Sequence, residues 1–154
     1  MPNRSHIVDR DRGYRALVKR VGAAARGRAV TVGVHSGEGG APSSTGGGTV
    51  ADIASIHEFG LGVPERSFVR GWVDSNEDTA NRLLREVGEA IVRGRYNVDT
   101  GLDRAGLVMA ASMQQRIRGH IPPELSPATI ARKGSSTPLI DTGQLVASIT
   151  HKVE

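Results

Sequence analysis

The chain has 154 residues, a formal net charge of +4, no cysteine and only 3% aromatic residues. This length predicts one domain, residues 1–154, with an aliphatic core. The missing cysteine excludes disulfides, thiolate nucleophiles and thiolate-bound zinc. No apolar run approaches the roughly 20 residues of a membrane helix, and the charged N-terminus lacks a signal peptide's apolar stretch, so a soluble protein with no membrane partner is expected.

The positive charge is local. Residues 1–28 hold eight Arg and Lys against two Asp, a net of +6 that leaves −2 for the remainder. A flexible arm is expected over 1–8, followed by a helix over 9–25 with Tyr14, Leu17, Val18 and Val21 on one face. Arg10, Arg12, Arg15, Lys19 and Arg20 around its other side are candidate contacts for phosphate or an acidic partner. Aromatic residues that could stack on bases are nearly absent there.

Residues 28–34 alternate valine with threonine or glycine and predict a half-buried strand. Ser36–Thr49, with six glycines in fourteen residues, predicts a mobile loop. It lacks the lysine of a phosphate-binding loop, and Pro42 stands where a dinucleotide fingerprint needs glycine. Val50–Glu58 predicts a short helix capped by Thr49 with Asp52, apolar at Ile53, Ile56 and Phe59 and ended by Gly60. Phe68–Trp72 predicts a single helical turn. Asp74 and Glu77 then form a capping-box-like pair opening a long helix to about residue 94, with Leu83, Leu84, Val87, Ala90 and Ile91 inward.

A second long helix is expected over 100–118, capped by Asp99 or Thr100. Leu102, Gly106, Met109, Met113 and Ile117 recur at helical spacing, with the methionines as core and Gly106 allowing close approach. Pro122-Pro123 ends it, and 120–138 reads as loop with one turn near 128–133. Asp141 or Thr142 is expected to cap a short helix carrying Leu145, before a closing strand over 148–153. The fold class is therefore α+β: a small mixed or antiparallel sheet flanked by two long helices and short ones.

No complete catalytic, metal or cofactor kit is present. His57-Glu58 begins a zinc-protease motif, but the second histidine belongs at position 61, which is leucine. The other histidines are scattered, no nucleophile elbow occurs, and the carboxylate pairs read as caps and solvated faces. The densest stretch is instead a bend, where Gly60 and Pro64 turn the chain, Phe59 and Phe68 anchor it, and Arg66 and Arg70 offer forked donors. Those arginines either pair locally with Glu58 and Glu65 or reach another subunit.

That bend carries a family resemblance. A short helix ending in His57-Glu58-Phe59-Gly60, followed by Val63-Pro64-x-Arg66-x-Phe68-x-Arg70, resembles the neck and tail-completion proteins of tailed bacteriophages, including the virion morphogenesis group of Mu-like phages. Pro138-Leu139-Ile140-Asp141-Thr142-Gly143-Gln144-Leu145, then Ser148-Ile149, resembles their C-terminal signature. The resemblance implies a non-enzymatic structural virion protein with a tail-terminator-like fold. It implies a homo-oligomeric, hexameric ring at the head–tail junction, assembled in the host cytoplasm. Its partners would be connector or head-closure proteins, tail tube or tail terminator proteins, and genome DNA passing through the ring. His57, Glu58, Phe59, Gly60, Pro64, Arg66, Phe68, Arg70, Asp141, Thr142 and Gly143 are then the expected interface, and Arg66→Ala is expected to weaken assembly more than folding. The competing expectation is a small basic nucleic-acid-binding protein that uses the N-terminal arginines.

Overall fold

The computed structural model describes residues 13–24, 27–44 and 46–154. In chain order its elements are α1 (Tyr14–Ala24), β1 (Val30–Val34), α2 (Ser36–Gly39), α3 (Val50–Phe59), α4 (Val69–Val92), α5 (Val98–Arg118), α6 (Pro127–Lys133), α7 (Gln144–Ser148) and β2 (Ile149–Val153). The architecture is α+β, seven helices with a two-stranded antiparallel sheet among the described residues.

α5 organises the core, because its small residues let neighbours close on two sides. A methyl at Gly101 would lie 2.8 Å from a Val87 methyl, so α4 packs tightly there. At Gly106 it would lie 2.6 Å from both Val30 and His151, so the sheet lies directly on the helix. Along the same helix Ala105, Met109, Met113 and Ile117 are buried, with the methionines in the core as expected. The helix begins two residues earlier than predicted, because Asn97 rather than Asp99 or Thr100 caps it, accepting from the Thr100 N–H at 2.8 Å.

The strands pair in the register Val30↔Val153 to Val34↔Ile149. Reciprocal backbone bonds between Ala29 and Glu154, 3.0 and 2.9 Å, extend the ladder by one pair. On the face away from α5, the His35 ring bonds the hydroxyls of Thr31 at 2.9 Å and Thr150 at 3.0 Å, joining the strands through side chains as well.

Four expectations are corrected. First, α4 is one continuous helix from Val69, so the separate turn at 68–72 and a start at Asp74 are both wrong. Asp74 and Glu77 lie exposed within it, and Leu84 is also exposed, while Trp72, Val87 and Ile91 face the core. Second, the described part of the N-terminal helix leaves most of its apolar stripe outside: Tyr14, Val18 and Val21 are exposed, and Leu17 is half-buried. Arg10 and Arg12, the 1–8 arm and residues 9–12 and 25 of the predicted helix lie outside the described residues.

Third, Ser36–Thr49 is not a featureless loop. Ser36–Gly39 forms a helical turn whose Gly39 is buried where a methyl would meet Val34 at 2.9 Å, and Pro42 bridges Thr49. Fourth, 127–133 is a true helix, with Ser126 as N-cap and Gly134 as left-handed C-cap. Among the described residues no helix is long and apolar enough to cross a membrane.

Candidate functional site

The bend at 49–70 is built by caps. Thr49 and Asp52 form the reciprocal capping box of α3: the Thr49 hydroxyl accepts from the Asp52 N–H at 3.2 Å, and the Asp52 carboxylate accepts from the Thr49 N–H at 2.8 Å. The hydrogen bonds from Thr49 hold the Asp52 carboxyl below the usual range. Gly60 ends α3 in the left-handed region at φ 66°, and a methyl there would come within 3.1 Å of the Glu65 backbone. Glycine is therefore required both by conformation and by the returning chain. The Arg66 N–H then donates to the His57 carbonyl at 2.8 Å and closes the bend.

Glu58 starts the next helix. No side chain caps α4 at Phe68. The buried Glu58 carboxylate instead accepts from the Val69 and Arg70 N–H groups, both at 2.9 Å, and from the Ser67 hydroxyl at 2.7 Å. A carboxylate from the previous helix thus takes the place of an N-cap and sits at the positive end of the helix dipole. This is why α4 begins at Val69 and not at Asp74.

Arg66 is only 4% exposed. Its Nε and Nη2 donate to the Pro123 carbonyl at 3.1 and 2.6 Å, fastening the bend to the loop after α5. The expected local pairs divide accordingly. Arg70 pairs with Glu65 at 3.1 Å on the surface, whereas Arg66 has no carboxylate within ion-pairing distance among the described residues. Phe68 is a core anchor at 1% exposure, but Phe59 is 62% exposed and does not anchor the bend from inside. Of the predicted interface residues, Glu58, Arg66 and Phe68 are engaged within their own chain, while Phe59, Pro64 and Arg70 face outward.

The second block closes on the first. Leu139 adopts a left-handed φ of 63°, uncommon for a branched residue, and Gly143 precedes α7 at φ 82°. Gly143 occupies the cap position itself, so neither Asp141 nor Thr142 is the N-cap. Instead Thr142 and Gln144 hold the glycine-rich segment. The Ser44 N–H donates to the Gln144 side chain at 2.8 Å, the Ser44 and Thr142 hydroxyls lie 2.7 Å apart, and the Gln144 amide donates to the Pro42 carbonyl at 2.9 Å.

The two blocks and α6 enclose a cleft of about 230 Å³. His57, Arg66, Asp141, Thr142 and Gly143 of the predicted set line it; Glu58, Phe59, Gly60, Pro64, Phe68 and Arg70 do not. Sequence reasoning missed Ser44, Leu125, Arg132 and Lys133, which reach the cleft from segments read as loop, and it quoted Gln144 within the second block without giving it a contact role.

The cleft is cationic. Burial, then the charges of Arg66 and Lys133, hold the His57 imidazole below its usual range, and its buried Nδ1 has no hydrogen-bond partner among the described residues. Burial foremost, and Arg66, likewise lower Lys133, with Asp141 opposing. Lys133 donates to the Thr137 carbonyl at 2.8 Å. Elsewhere His151 meets Asp103 at 2.9 Å. Among the described residues no group of three potential metal ligands converges. Of the basic N-terminal candidates, Arg15 and Lys19 are exposed on α1 and Arg20 is half-buried near Gly94.

No family model matches the chain, and no curated protein or solved structure is significantly similar to it.

Proposed function

We propose that this chain is a structural subunit of a tailed-phage virion, a ring-forming neck or tail-completion protein at the head–tail junction. The observation that supports this most is the meeting of the two signature-like blocks in one cleft. His57 and Arg66 from the first block and Asp141 to Gly143 from the second line the same opening. Beside it, Phe59 and Leu61 are exposed at 62% and 60% at the tip of the bend. The bend thus carries exposed apolar residues at its tip and contributes His57 and Arg66 to a cleft, and a head-to-tail contact that closes into a ring needs two such different surfaces on one subunit.

Removing this chain from an infecting phage and restoring it from a plasmid tests the reading. Loss should leave filled heads and finished tails unjoined, and restoration should rejoin them. Normal joined particles in its absence would count against the assignment.

DNA contact is a compatible secondary role, favoured by the net charge of +6 over residues 1–28. It predicts duplex binding that falls steeply with salt and is lost when those residues are removed.

A further inference from the structure

We propose that the cleft between α3, α6 and the 139–145 segment binds an acidic, apolar peptide segment of a partner protein, seating a carboxylate against its cations and an apolar side chain against its walls. This builds on the reading of the cleft as a docking site, but not on the virion assignment.

Charge carries the inference. A guanidinium as buried as Arg66 is ordinarily paired with an acid, because desolvating an unpaired charge is costly. Here carbonyl oxygens alone receive it among the described residues, with Pro123 as its close acceptor. Lys133 and Arg132 add positive charge to the same lining, and among the described residues exposed Asp141 is the single acid that lines it. His57 also lines the cleft, and its buried Nδ1 has no partner among the described residues. A carboxylate entering there would supply the missing counter-charge, and its negative charge would favour protonation of His57.

Shape selects a peptide. At about 230 Å³ the cleft is smaller than the roughly 300–1,000 Å³ of pockets that hold drug-sized ligands or cofactors, and suits a side chain or two. Val50, Ile53, Leu125, Leu139 and Leu145 give it apolar walls that a bare anion would leave unused. The wall segments are held by the Ser44 bonds to Thr142 and Gln144, so the site is pre-formed.

The test is an NMR titration of the full isotope-labelled chain at low salt. The probes are acetyl-Leu-Glu-Leu-Asp-amide, its uncharged counterpart acetyl-Leu-Gln-Leu-Asn-amide, and sodium acetate. The acidic peptide should bind at least about tenfold more tightly than the amide peptide, shift the amides of Ser44, Leu139 and Gly143, and raise the His57 titration midpoint. Lys133→Met and Arg132→Gln, each checked for an unchanged spectrum elsewhere, should each weaken the acidic peptide several-fold and leave the amide peptide unchanged. Equal binding of the two peptides, no binding of either, shifts confined to another surface, or the same shifts from acetate at the same concentration would each overturn the proposal. None of these outcomes depends on whether the chain is found in a virion.

Discussion

Replacing Glu58 with alanine should destabilise the fold by about 3–5 kcal/mol, an unusually large loss for a residue outside the apolar core. One buried carboxylate accepts the Val69 and Arg70 N–H groups at 2.9 Å and the Ser67 hydroxyl at 2.7 Å. Hydrogen bonds to a charged group contribute about 1.5–3 kcal/mol each, less than additively when they share an acceptor. The helix dipole adds up to roughly 1 kcal/mol, and relief of the buried carboxylate's desolvation subtracts from the total. Glu58→Gln keeps one acceptor oxygen and should lose about half as much. Glu65→Ala, which removes only the exposed pair with Arg70, should stay within about 1 kcal/mol. Urea unfolding followed by circular dichroism reads all three. At about 2–4 °C per kcal/mol for a chain of this size, the Glu58→Ala melting midpoint should fall by roughly 6–20 °C. A loss below about 1 kcal/mol, or one equal to that of Glu65→Ala, would refute the assignment of Glu58 as the cap of α4.

Two glycine substitutions should move stability in opposite directions. Gly106→Ala must separate α5 from the sheet, because its methyl meets Val30 and His151 at 2.6 Å, and should cost about 1–3 kcal/mol. Gly88→Ala, within α4 and with nothing within 4 Å among the described residues, should stabilise by about 0.5–1 kcal/mol; thermal melts of the two would compare them directly. Arg66→Ala should weaken folding itself, by about 2–4 kcal/mol in urea, because it releases the Pro123 carbonyl inside the chain. That differs from the expectation drawn from sequence. His57 makes stability fall on acidification. Its folded-state pKa lies below the ordinary 6.5, so the unfolded chain takes up the proton first as pH drops through 6.5. Stability is fully present above that pH and declines until the folded-state pKa is passed. His57→Gln should flatten the slope between about pH 7.5 and 5, and an unchanged slope would remove His57 as its source.

The parts of the fold with a local cause could be read from the chain. The Thr49–Asp52 box, the Gly60 stop and the periodic face of α5 each sit within a few residues of the structure they dictate. What could not be read depends on distant partners. α4 begins at Val69 because Glu58 supplies its cap from the preceding helix, and no local pattern announces that. The glycine-rich stretch is folded back because Gln144 and Thr142, a hundred residues later, bond Pro42 and Ser44. The cleft follows the same logic. His57, Arg66 and Asp141 to Gly143 stood out singly, but Lys133 and Leu125 join them only through tertiary packing. Phe59 misled because helical spacing assigns it to the apolar side of α3, whereas the turn at Gly60 leaves it outside.

Locating the chain in purified phage particles tests the central assignment most directly. Mass spectrometry of washed virions should detect it, and symmetry-resolved electron microscopy should fit its two long helices into a ring between connector and tail. Its absence from virions, or density that places it anywhere other than the head–tail junction, would contradict the assignment.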